Sequence, residues 1–148
     1  MAILQTATTS FKVELLQGIH NFGPSSPDTF KIALYTAAAN LGYATTVYTT
    51  SDEVVGTGYT AGGNTLTIST SPTSGNNNAG IPTAYISFAN SSWAGATFTA
   101  RAALIYNVTE GNKSVAVLDF GSDKTVNNDT FQIIFPAADA NSAIVRIS

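Results

Sequence analysis

The chain has 148 residues, a net charge of −3, only 10% charged residues and no cysteine. A domain of this length buries roughly 68–70% of the surface its unfolded chain exposes, so a core forms without cross-links. The missing cysteines exclude a disulfide scaffold and thiol-ligated zinc, and six Lys and Arg leave no electrostatic footprint for nucleic acid.

Residues 1–8, "MAILQTAT", form an uncharged tail without the basic start and apolar core of a signal peptide. No apolar run approaches the length of a membrane span, about 18 residues. The expectation is synthesis in a reducing cytoplasm, with residues 1–8 as an N-terminal arm on a single domain, 9–148. Ser10 then offers a helix N-cap, and Phe11, Leu15, Ile19 and Phe22 form one apolar stripe with Glu14 in the first turn. The spacing predicts a helix over 11–22, weakened by Gly18 and stopped by Gly23-Pro24.

After that helix the sequence turns to β-patterns. "TFKIALYT" alternates, with Phe30, Ile32 and Leu34 on one face and Lys31, Ala33 and Tyr35 on the other. The Gly-rich stretch 37–63 reads as loops around a short strand at 53–59. "NTLTIST" reads as a strand and "SPTSGNNNAGIP" as a long polar loop. "TAYISFAN" and a long strand over 96–106 follow, with a hairpin turn at Gly111-Asn112. "SVAVLDFG", a turn at "SDKTVNND", "TFQIIFP" and "AIVRIS" complete the series. About eight short strands between Gly, Asn and Pro turns predict an all-β, jelly-roll-like β-sandwich with one short N-terminal helix.

Chemistry is sparse. His20 is the sole histidine and has no Cys or second His with which to share a metal, so it reads as a half-exposed boundary residue. No Gly-x-Ser-x-Gly elbow exists. Asp52 and Glu53 are adjacent and would point apart in an extended chain. Asp119, Asp123 and Asp129 flank the expected turn, which disfavours a paired-carboxylate hydrolase. "GTGYTAGG" lacks the Lys-Ser/Thr and the following helix of a phosphate loop. The expectation is a protein that is not an enzyme, with no cofactor, catalytic residue or metal ligand. Tyr43, Tyr48, Tyr59, Tyr85, Trp93 and Tyr106 read as β-propensity and core edge; a sugar-stacking platform is the weaker alternative. Arg101 stands inside the apolar strand "TFTARAALIYN", on a solvent face, paired with a carboxylate, or crossing an interface.

The runs "DTFKIALY", "GTGYTAGG" and "AVLDFGSDK", within similarity spanning residues 9–147, resemble the capsid decoration, or cement, proteins of tailed bacteriophages. That resemblance implies a self-associating sandwich on the outer surface of the virion head, bound to the major capsid protein across subunit joints. A homo-oligomer follows, dimer favoured and trimer possible, with no nucleic-acid or membrane partner. A cement protein needs low-charge surface, exposed strand edges or a tail that adds to a neighbour. The candidate partner-interface residues are therefore Ala2, Ile3, Leu4 and Gln5 of the arm, together with Arg101. A phage tail, neck or baseplate structural protein fits the same composition, and a carbohydrate-binding sandwich less well.

Overall fold

A computed structural model describes residues 2–148; Met1, the first residue of the expected arm, lies outside them. The elements are β1 (Thr6–Ala7), α1 (Thr9–Leu16), β2 (Phe30–Tyr35), β3 (Asn64–Thr65), β4 (Ile68–Asn76), β5 (Pro82–Phe88), β6 (Ser91–Asn107), β7 (Lys113–Ile133) and β8 (Val145–Ile147). They make two antiparallel sheets, ordered β1-β7-β6-β2-β3 and β4-β5-β8. The protein is an all-β sandwich with one short helix near its N-terminus.

The helix starts and stops earlier than its apolar stripe suggests. Thr8, not Ser10, is the N-cap: its backbone is extended and its Oγ1 accepts from Phe11 N at 3.4 Å. The reason is the preceding strand. Thr8 N–H still donates to Val115 O, so this residue already has the extended conformation that an N-cap needs. The stop is Gly18, with φ +71°; Gly18 N–H donates to Leu15 O and Ile19 N–H to Glu14 O, the paired bonds of a Schellman motif. Phe22, expected inside the helix, lies beyond it, buried and stacked on Phe30 with ring centroids 4.4 Å apart. Glu14 is outside the first turn and is buried.

The strand β2 is buried on both faces. Phe30, Ile32 and Leu34 join the core between the sheets, with Phe88, Phe98 and Ile105. Ala33 and Tyr35 join a second cluster on the opposite face, with Leu41, Leu104, Tyr106 and Val117. Ile3 and residues 36–48, through Ala39, Leu41 and Tyr48, roof that second cluster, while Val54 and Tyr59 farther along join the core between the sheets. The molecule thus has a small sheet, a large sheet and an irregular roof. The strand expected at 53–59 is absent. That segment pairs with the large sheet only at isolated bridges, Tyr35 to Glu53 and Thr57 to Thr97. It is held there by the packing of Val54 and by Leu34 N–H donating to Tyr59 Oη at 2.9 Å. Glycines allow backbone to lie on backbone here, since a Cβ at Gly63 would overlap the Ile32 carbonyl.

Two expected breaks are paired strand. "SPTSGNNNAGIP" continues β4 to Asn76 before a turn in which Asn77 Oδ1 accepts from Ala79 N and Ile81 N. Pro72 is tolerated because β4 is an edge strand and its register shifts between Thr70 and Thr73. The "SDKTVNND" turn is also absent, because β7 runs unbroken opposite β6. Its polar residues face solvent, and its irregularities are bulges. Ala100 pairs with Lys124 and Ala102 with Asp119, so residues 120–123 form a bulge on β7, in which Phe120 packs on the core and 121–123, around Gly121 at φ +77°, are exposed. On β6 the inward-facing parity switches at the same place, from Ala96, Phe98 and Ala100 to Ala103 and Ile105.

Candidate functional site: arm, pad and edge

Arg101 occupies that parity switch. Its Nε donates to Asp119 Oδ1 at 2.9 Å, and Gly121 N–H donates to the same oxygen at 2.9 Å. The guanidinium first, and then the backbone N–H, hold the Asp119 carboxyl below its usual range. Gln5 reaches the same residue from the arm: its Oε1 accepts from Asp119 N at 3.2 Å. Two of the residues chosen from sequence thus meet at one aspartate, next to the bulge.

The rest of the arm lies on its own domain. Leu41 N–H donates to Ala2 O at 3.1 Å, Leu4 N–H donates to Leu41 O at 2.9 Å, and Ile3 packs on the second core cluster. Past Gln5, Thr6 and Ala7 pair with Val117 and Ala116. Leu4 remains 51% exposed beside a 62% exposed Tyr43. With Ala2, Gly42 and Ala44 they line a shallow depression of about 430 Å³. None of these side chains is charged, so the arm and residues 40–45 together present a neutral pad.

Two buried polar networks carry no recognisable spacing in the sequence. The first overturns the reading of His20 as a half-exposed residue: its side chain is fully buried. Asn107 Oδ1 accepts from Glu110 N, which orients the amide so that Nδ2 donates to His20 Nδ1 (2.9 Å) and to Asp28 Oδ2 (2.8 Å). The imidazole Nδ1 is therefore an acceptor, and Nε2–H donates to Glu14 Oε2 at 2.7 Å. Lys113 Nζ approaches the other Glu14 oxygen at 3.4 Å. Only tertiary structure brings these residues together, since Asn107 is 87 positions from His20.

The second network centres on Glu53. Its Oε1 accepts from Tyr59 Oη and Gly62 N, both at 2.6 Å, and its Oε2 from Tyr48 Oη at 2.7 Å. Tyr106 Oη donates to Gly62 O at 2.7 Å, and Tyr35 Oη to Thr49 O at 2.6 Å. Burial, and then the bond to Glu53, push the phenols of Tyr48 and Tyr59 far above their ordinary range. Burial also raises Tyr35, and it takes Tyr106 up to about 12. Each phenol donates, so the chemistry of this cluster is cohesion: it ties the roof to the large sheet. Asp52, the neighbouring carboxylate, is exposed at φ +62° and takes no part.

The aromatic residues do not form a platform around Trp93. That indole is 4% exposed, between Tyr59 and Phe131, and Tyr48 stacks on Tyr106 at 4.6 Å. Among the described residues no three His, Asp or Glu side chains group to hold a metal ion, and no helix is long and apolar enough to cross a membrane. No protein-family model matches the chain, and no curated protein or solved structure matches it.

Proposed function

We propose that this chain is a virion structural protein, a decoration protein that binds the outer surface of an assembled phage head and reinforces joints between major capsid subunits. The observation that carries the reading is the pad: an extended arm folded onto residues 40–45, leaving Leu4 and Tyr43 exposed on an uncharged surface. Exposed apolar side chains grouped within a polar, weakly charged surface mark contact sites. In this reading the arm builds the contact surface on its own domain, and the major capsid protein packs against it.

The mechanism is linkage. A protein that binds only the assembled shell stabilises that state by RT ln(1 + [L]/Kd), about 2.7 kcal/mol per site at a hundred times Kd. Repeated over the shell, that term opposes the outward pressure of a packaged genome. The test removes residues 2–5 and keeps Thr6–Thr8, which pair with β7 and cap α1. The trimmed protein is expected to remain folded by circular dichroism, to occupy heads at least tenfold more weakly, and to lower the temperature at which filled heads burst. Full occupancy and an unchanged burst temperature would sink the proposal.

A further inference from the structure

The sandwich is open along one side. β1 covers β7 only at Ala116 and Val117, so among the described residues no strand lies beside the outer edge of β7 from Leu118 to Ile133. β8 is the last strand of the small sheet. Between these two edges runs a groove in two stretches. One, of about 720 Å³, passes over Leu118, Phe120, Phe131 and Phe135. The other, of about 320 Å³, passes over Phe11, Leu15 and Val145. Gln5, Leu118 and Ile144 line both stretches and mark the middle.

The two ends of this seam differ in charge. The helix end carries Lys12 and Arg146, with Ile147 58% exposed beside them. The distal end carries Asp129 and Lys124, with Asp123 adjacent in sequence and Ile134 70% exposed. Lys124 is already engaged, its Nζ donating to Ser122 Oγ at 3.0 Å. One end is therefore cationic and the other net anionic, and each has an exposed isoleucine at its rim.

We propose that this seam is the interface of a homodimer, two copies meeting antiparallel about a twofold axis near Gln5, Leu118 and Ile144. In such an isologous contact residue i meets j and j meets i, so each complementary pair forms twice. The Lys12–Arg146 end of one copy faces the Asp123–Asp129 end of the other, and Ile147 faces Ile134. A partner of uniform charge would meet repulsion at one end, whereas a second copy matches both. The bulge at 120–123, with 121–123 exposed, breaks the straight edge of β7, a device that blocks strand-to-strand addition. The two copies therefore pack through side chains, and no continuous sheet crosses the axis.

The test needs only purified protein, so its outcome is independent of binding to heads. Wild-type chain is expected to sediment as a dimer at about 100 µM and to dissociate on dilution. Lys12→Glu with Arg146→Glu reverses one end and is expected to weaken the dimer at least tenfold. Adding Asp123→Lys and Asp129→Lys reverses the other end and restores it, which separates pairing from folding damage. Because the chain has no cysteine, Gln5→Cys near the axis reports directly: mild oxidation is expected to give a covalent dimer, while Val55→Cys on the roof gives none. A monomer at every concentration, or a dimer indifferent to reversal of one end, overturns the proposal.

Discussion

Both ring nitrogens of His20 are engaged within the core, Nε2–H on Glu14 and Nδ1 accepting from Asn107. Through them the loop after α1 is joined to the start of the β6–β7 hairpin, with Asp28 completing the set by accepting from Asn107 and from Asn21 N. His20→Leu keeps the volume and the contacts with Phe11 and Phe22 but leaves Glu14 Oε2 without its donor and one Asn107 Nδ2 proton without its acceptor, while Lys113 still reaches Glu14 Oε1 and Asp28 still accepts from Asn107. Leaving such groups unpaired costs about 2–4 kcal/mol, which lowers Tm by roughly 5–15 °C in a domain of this size. Adding Glu14→Leu is expected to recover part of the loss, because the stranded charge is removed with its partner and Lys113 can re-solvate at the surface. Calorimetry of the two variants checks this. A single variant as stable as wild type would mean that the network is not under tension from burial.

At the scale of the helix, one glycine separates two readings of the same stretch. If α1 ran to residue 22, Gly18 would be an interior glycine, and Gly18→Ala would stabilise the protein by about 1 kcal/mol. In the Schellman stop the residue stands at φ +71° with open space around it, so an added methyl meets no clash but does meet the left-handed backbone penalty, about 1–2 kcal/mol. Gly18→Ala is therefore expected to destabilise, and the sign of the change in a urea titration decides between the readings. The stripe of Phe11, Leu15, Ile19 and Phe22 was a sound guide to burial, since a loop that folds back onto the core repeats apolar residues as a helix does. It was a poor guide to where the helix ends. The same logic covers the strands. β2, β5 and the hairpin turn at Gly111-Asn112 were legible because alternation and positive-φ residues are local signals. The unbroken course of β7 was not, since a two-stranded ribbon with solvent on it has the Ser, Asp and Asn content of a turn. Arg101 was visible as an anomaly within an apolar strand, but its partner depends on a bulge that no local pattern announces.

Across the whole molecule, the irregular roof explains how a strand such as β2 is buried on both faces in a two-sheet protein. Helices commonly cover an exposed sheet face. Here residues 36–48 do so, and the chain that follows is held to the sheet by glycines at backbone contact and by the phenols around Glu53. The sequence hides this layer because it has no period, and the aromatics that read as strand edge are its fasteners. The phenols make roof attachment sensitive to alkali, and the direction follows from linkage. Unfolded phenols titrate near about 10, whereas burial and the Glu53 carboxylate raise those of Tyr35, Tyr48, Tyr59 and Tyr106 in the folded state. The folded protein thus holds these protons more tightly, so their contribution is complete below about pH 10 and is lost as pH rises through the folded values. Each buried phenol that ionises only on unfolding removes up to about 1.4 kcal/mol per pH unit above that point. The urea midpoint is expected to be lower at pH 11 than at pH 8. Glu53→Gln should shrink the fall, because it removes the carboxylate that repels a phenolate while burial still opposes ionisation. Hydrogen exchange should locate the change, with Val54 and Gly62 amides losing protection before those of β6. A midpoint that stays level from pH 8 to pH 11 would show that the roof does not depend on these bonds.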